Sequence, residues 1–108
     1  MEKKDNTVLR LYTLKNCIHC QHLKGKLKEN DILYNEIIID DGTQYNSNLG
    51  DMIEAFYETE SYPILEIRPI NNGAIIHSFI SKTDLVERDT ISIFDDIEQL
   101  IIQLKLKL

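Results

Sequence analysis

The sequence predicts a single α/β domain over residues 1–108, with a mixed four-stranded sheet flanked by helices in the order β-α-β-α-β-β-α. Three observations predict it. Two short apolar runs, residues 8–13 and 33–40, are separated by a stretch of helical spacing, and such a pair of strands wants a right-handed parallel crossover. Asn71-Asn72-Gly73 stands between two further apolar runs and signals a hairpin, so the sheet closes with antiparallel strands. At 108 residues with 43% hydrophobic content, the chain can build one modest core, and it shows no linker or internal repeat.

Each element has its own warrant. Residues 1–6 form a charged lead-in, expected to be loose. Residues 8–13 read as the first strand. Cys20, Leu23 and Leu27 then recur at helical spacing, with Lys24, Lys26 and Lys28 on the outer faces. Gly25 weakens that helix and Asn30-Asp31 ends it. Residues 33–40 carry Ile37-Ile38-Ile39, a β-branched run that suits a central strand covered on both faces. After a polar loop at 43–48, Leu49, Met52, Ile53 and Phe56 define a second amphipathic helix, with the Met and Phe expected in the core.

Pro63 opens the third strand, residues 64–70, where no ladder donor is needed. Residues 74–79 return as the fourth, carrying His77 as a surface or hydrogen-bonded residue. Asp84 and Glu87 have the spacing of a capping box for a short helix after Thr83. Phe94, Ile97, Ile101, Leu104 and Leu108 make the last apolar stripe. Acids at 95, 96 and 98 open it and Lys105 and Lys107 close it, in line with the helix dipole.

Charge and hydropathy exclude several roles. Asp and Glu number 18 against 12 Lys and Arg, and the resulting −6 argues against nucleic acid or an anionic membrane as partner. No stretch is long and apolar enough to span a bilayer, and residues 1–6 hold no signal-peptide core. The cytoplasm is therefore the expected location, and a monomer the expected state.

The chemistry concentrates at Cys17-Ile18-His19-Cys20, which holds both cysteines of the chain. It lies at the junction of the first strand and first helix. The first turn of a helix leaves N–H groups unpaired and carries partial positive charge, so a thiolate there is stabilised. In a reducing compartment such a pair reads as redox-active more readily than as a structural disulfide. A zinc site near His19 and His22 is the rival, but no second cysteine pair supplies a closed ligand set, and no metal is expected. A bland buried pair is the other alternative.

This order, with Cys-x-x-Cys after the first strand, resembles the thioredoxin fold, and within it the glutaredoxin family. Tyr12-Thr13 leading into Cys17-Ile18-His19-Cys20 resembles the family's strand and active site. Ser61-Tyr62-Pro63-Ile64 resembles its Thr-Val-Pro segment. Lys82-Thr83-Asp84-Leu85 resembles the end of its Gly-Gly-x-x-Asp segment. The resemblance implies a glutathione-dependent thiol-disulfide oxidoreductase. Cys17 would be the attacking thiolate and Cys20 the resolving thiol. Pro63 would follow a cis bond, and Tyr62 would pair its backbone with an extended thiol peptide. Thr83 and Asp84 would hold the γ-glutamyl end of glutathione at a helix N-terminus, with Lys15 near its glycine carboxylate. Apart from the resemblance, the His19 imidazole between the two cysteines at a helix start can donate a hydrogen bond to the Cys17 thiolate, or meet it as imidazolium, and so is expected to tune the pair.

No cofactor is expected to be bound. Glutathione is the expected co-substrate, and disulfide-containing proteins, ribonucleotide reductase among them, the expected clients. A thioredoxin-like donor recharged by a flavin reductase, a non-catalytic adaptor and an iron–sulfur cluster carrier are the alternatives. The sequence departs from the family in two of these places: Ile18-His19 stands where Pro-Tyr is usual, and Ile80-Ser81 replaces the paired glycines. No Trp precedes Cys17, which disfavours a typical thioredoxin.

Overall fold

A computed structural model describes residues 6–71, 73–81 and 83–108. The lead-in at residues 1–5 lies outside the described residues, as do Asn72 of the expected turn and Lys82 before Thr83. The elements are β1 (Thr7–Thr13), α1 (Ile18–Glu29), β2 (Asn35–Ile38), α2 (Gln44–Tyr57), β3 (Ile64–Pro69), β4 (His77–Ile80), β5 (Ile91–Ile93) and α3 (Ile97–Lys107). Among the described residues they build a mixed five-stranded sheet in the order β2-β1-β3-β4-β5 with three helices. β1 runs parallel to β2 and antiparallel to β3, which is antiparallel to β4.

Period-two alternation sorts the side chains onto the two faces. Leu9 and Leu11 of β1, Leu65 and Ile67 of β3 and Phe79 of β4 pack against Leu23 and Leu27 of α1 and Leu100, Ile101 and Leu104 of α3. On the other face Tyr12, Ile64 and Ile80 meet Ile53 and Tyr57 of α2. Each buried aliphatic side chain contributes roughly 1.5–3 kcal/mol by leaving water.

The α2 face also buries a carboxylate. Glu66 of β3 is 2% exposed. It accepts hydrogen bonds from the hydroxyls of Tyr12 at 3.0 Å and Tyr57 at 2.7 Å, and pairs with Arg68 at 2.8 Å. Burial pushes the Tyr57 phenol well above its usual range, so it stays a donor. Ser78 Oγ lies 2.6 Å from the same hydroxyl.

Five expectations need correction. The sheet has five strands, not four. Ile91–Ile93 adds a parallel edge to β4, and at three residues it is too short to show alternation. Among the described residues, no helix forms between Thr83 and β5. Glu87 accepts from the Ile93 N–H at 3.0 Å instead of reaching back to cap a helix, and Arg88 and Ile91 exchange backbone hydrogen bonds across a turn. β2 is an edge strand, not a central one: Ile39, just past its end, is buried, but Ile38 is 37% exposed.

The polar loop expected at 43–48 is largely the start of α2, with Thr43 as N-cap accepting from the Asn46 N–H. Met52 and Phe56 are 69% and 61% exposed, and Gly50, Ile53 and Tyr57 face inward instead. Tyr57 displaces Phe56 because its hydroxyl has Glu66 and Ser78 to meet. His77 is buried and satisfied, its Nε2 2.7 Å from Ser92 Oγ.

Gly50 sets how closely α2 approaches the sheet. A Cβ there would stand 2.5 Å from Ile39 Cγ2, a methyl fixed directly to the branched Cβ and not the end of a flexible chain. Gly50→Ala is expected to destabilise the fold by about 1–3 kcal/mol in urea unfolding. Measured in an Ile39→Ala background, the same change should cost less than half as much, because the clashing methyl is gone.

Candidate active site

β1 ends at Thr13, and residues 14–17 carry the chain into α1. Cys17 is the N-cap, in extended backbone, and its sulfur accepts the Cys20 N–H at 3.1 Å. The sulfur thus occupies the place of a capping oxygen, on the positive end of a twelve-residue helix whose first turn holds no acid. Cys17 and Cys20 are joined as a disulfide, their Cα atoms 5.1 Å apart. The two cysteines differ in access. Cys17 is half-buried, whereas Cys20 is 0% exposed and belongs to the core on the α2 side.

The Tyr62–Pro63 peptide bond is cis, as the family resemblance implies. Pro63 opens onto β3, which pairs with β1, so the sheet itself brings this turn to the cysteines. The Tyr62 carbonyl oxygen lies 3.8 Å from Cys17 Sγ. The Tyr62 ring is buried, and its hydroxyl donates to Glu54 of α2 at 2.8 Å. Burial, and then the Glu54 carboxylate, raise its pKa well above the ordinary phenol value.

Cys17, His19, Tyr62 and Pro63 line one cleft of about 730 Å³. Leu14, Ile18, Phe94 and Ile97 give it apolar walls, and Asp40 and Asp95 stand at its rim. Ile18 is 82% exposed beside the disulfide. Thr83 and Asp84 line a second groove of about 940 Å³, which shares Ser61 and Ser81 with the cleft. Four carboxylates border that groove, those of Glu54, Glu58, Glu60 and Asp84. The Thr83 hydroxyl donates to the Tyr57 and Glu58 carbonyls at 2.6 and 2.8 Å and accepts the Leu85 N–H at 2.9 Å. It ties the chain to the end of α2, and among the described residues no helix starts at Thr83 or Asp84. Lys15 is exposed and lines neither cavity, and its N–H donates to Asp40 at 2.8 Å.

Sequence reasoning missed Glu54 and the wall supplied by Phe94 and Ile97. Glu54 was within reach, because Gly50, Glu54 and Tyr57 share one helix face at spacings of four and three. The wall from the start of α3 was not, because it depends on how that helix packs.

No protein-family model matches the chain, and no curated protein matches it in sequence. A Cys-x-x-Cys disulfide in a small mixed α/β fold is compatible with a thioredoxin-like architecture, and it is consistent with a redox function. Among the described residues, no helix is long and apolar enough to cross a membrane.

The difference in access gives a direct expectation. In the reduced protein at neutral pH, a small alkylating reagent should modify Cys17 first, with Cys20 labelled only after unfolding. Peptide mapping by mass spectrometry reads the order, and prior labelling of Cys20 would reverse the assignment.

Proposed function

We propose that the chain is a glutaredoxin-like dithiol oxidoreductase of the thioredoxin fold, reducing protein disulfides or mixed disulfides of glutathione. One observation carries this reading: a disulfide at a helix N-terminus with one accessible and one buried sulfur, facing the Tyr62–Pro63 turn. In the forward direction the Cys17 thiolate attacks one sulfur of a substrate disulfide. That bond breaks, a mixed disulfide forms at Cys17, and the other substrate sulfur leaves as a thiolate that takes up a proton. Cys20 then loses its proton and attacks Cys17 Sγ. The second substrate thiol is released, and the Cys17–Cys20 disulfide re-forms. Two electrons pass from the dithiol to the substrate. Two glutathione thiols would return them, leaving oxidised glutathione.

The cleft supports the extended-peptide part of this reading, since the Tyr62 backbone lies beside the sulfur. For glutathione the support is the sequence resemblance at Lys15, Tyr62, Thr83 and Asp84. A second reading is favoured by a specific observation at Thr83. Its hydroxyl is engaged within the fold, and the acidic border of its groove opposes an anionic tripeptide. That reading is a thioredoxin-like donor recharged by a flavin reductase.

The test is turnover of a small glutathione mixed disulfide coupled to glutathione reductase, beside reduction of a protein disulfide with dithiothreitol as electron source. Turnover in both assays supports the glutaredoxin-like reading. Activity with dithiothreitol alone supports the flavin-reductase reading. Activity in neither, or activity retained in Cys17→Ser, overturns dithiol exchange altogether.

His19 lies exposed in the first turn of α1 and lines the cleft with Cys17. In the proposed role its imidazole donates a hydrogen bond to the Cys17 thiolate, which stabilises the reduced protein. His19→Ala should then raise the Cys17 pKa and make the reduction potential more negative, by roughly 30 mV for each unit of pKa. Equilibration with a glutathione redox buffer measures the second quantity, and an unchanged potential removes the tuning role.

A further inference from the structure

Building on dithiol exchange at Cys17, we propose that Glu54 is a positioning residue: its carboxylate holds the Tyr62 ring, and through that ring it fixes the Tyr62 carbonyl against the Cys17 sulfur. The chain of contacts is continuous. Tyr62 is 7% exposed, and its hydroxyl donates to Glu54 Oε2 at 2.8 Å. The other end of the same residue presents its carbonyl oxygen 3.8 Å from Cys17 Sγ. A ring held at its far end and packed along its length leaves the Tyr62 backbone little freedom, so the carbonyl keeps its place.

Glu54 is itself held in position. One turn before it, Gly50 brings the α2 backbone close to the Tyr62 hydroxyl, so that a Cβ on Gly50 would stand 3.8 Å away. One turn after it, Tyr57 binds Glu66 and Ser78 within the sheet face. Thr83 donates to the Tyr57 and Glu58 carbonyls that end the helix. The whole of α2 therefore acts as a fixed support behind the turn at Tyr62.

The carbonyl has a definite electrostatic effect on the sulfur. Its oxygen is the negative end of a dipole, so it accepts a thiol proton and opposes a thiolate. It works against the Cys20 N–H and the helix N-terminus, which favour the thiolate. Holding Tyr62 in place thus keeps Cys17 from becoming too acidic. Releasing it lets the carbonyl turn away, which favours the thiolate and the reduced protein.

The experiment compares Glu54→Ala, Glu54→Gln and Tyr62→Phe. Cys17 titration is followed by thiolate absorbance, and the reduction potential by equilibration in a thiol redox buffer. Glu54→Ala and Tyr62→Phe should each lower the Cys17 pKa by about half a unit. Each should shift the dithiol–disulfide equilibrium about threefold toward the reduced form, which is about 14 mV less negative. Glu54→Gln keeps an oxygen that accepts the Tyr62 hydroxyl, so it should match the unmodified protein. The double variant Glu54→Ala/Tyr62→Phe should go no further than either single change.

Tyr62→Phe and Glu54→Gln are near-isosteric, so they carry the test if Glu54→Ala folds poorly. The positioning role is overturned if Tyr62→Phe leaves both quantities unchanged. It is also overturned if Glu54→Gln shifts them as far as Glu54→Ala, since the carboxylate charge would then act on the sulfur directly. Both readouts need only a titrating thiol and a reversible disulfide. Absence of substrate turnover would count against dithiol exchange and leave this comparison readable.

Discussion

A buried carboxylate without partners would be untenable in the middle of a sheet, and Glu66 shows how the fold answers that constraint. Taking a charge out of water costs several kcal/mol unless hydrogen bonds and a counter-charge replace the lost solvent. Here two phenols and a guanidinium supply them. Those donors come from different elements: Tyr12 from β1, Tyr57 from the end of α2, and Arg68 from β3 itself. The need to satisfy one side chain thereby fixes how β1, β3 and α2 sit together. An apolar residue at this position would pack against the same neighbours but would not choose the rotation of α2. The hydroxyl of Tyr57 does choose it, and that is why Tyr57 lies inside while Phe56 is left 61% exposed.

The cysteine site inherits this arrangement from two sides. β1 and β3 are direct antiparallel neighbours, so the end of β1 that leads into α1 and the start of β3 that follows Pro63 meet at the same end of the sheet. From behind, α2 supports Tyr62 through Glu54. None of the elements needs to be rigid alone, since each is pinned where another crosses it. The sulfur of Cys17 stands where a positive helix end and a negative carbonyl end are both within reach.

What the sequence made legible follows the range of the interactions involved. Cys17 and Cys20 at the start of α1 could be read because strand, turn and helix are local patterns. The cis bond before Pro63 was expected from a four-residue resemblance, itself a local feature. The core stripe of α3 was also readable, since Ile101 and Leu104 are both buried. Failures occurred where a distant partner decided the outcome. Ile37-Ile38-Ile39 looks like a central strand, but its place at the edge depends on β1 pairing with β3 on its other side. The spacing of Asp84 and Glu87 is a sound capping signal, but Glu87 found the Ile93 N–H instead. Tyr57 and Gly50 were overlooked on α2 because an apolar count gives no weight to a hydroxyl with a buried partner, or to a missing side chain at a close approach.

The unequal burial of the two sulfurs sets a direction on the proposed exchange. An incoming thiolate can reach only Cys17, because Cys20 has no exposed surface. That attack expels Cys20 as a thiolate among apolar neighbours, including Ile39, Ile53 and Ile64. Such surroundings raise a thiol pKa, so the expelled sulfur must take up a proton or return. Return is short in distance and regenerates the disulfide while it releases the incoming thiol. In the proposed exchange, that return competes with protonation of Cys20 and limits the life of a mixed disulfide at Cys17. The packing of the α2 side that makes Cys20 part of the core also holds it one helical turn from Cys17, in reach of a mixed disulfide formed there in that exchange.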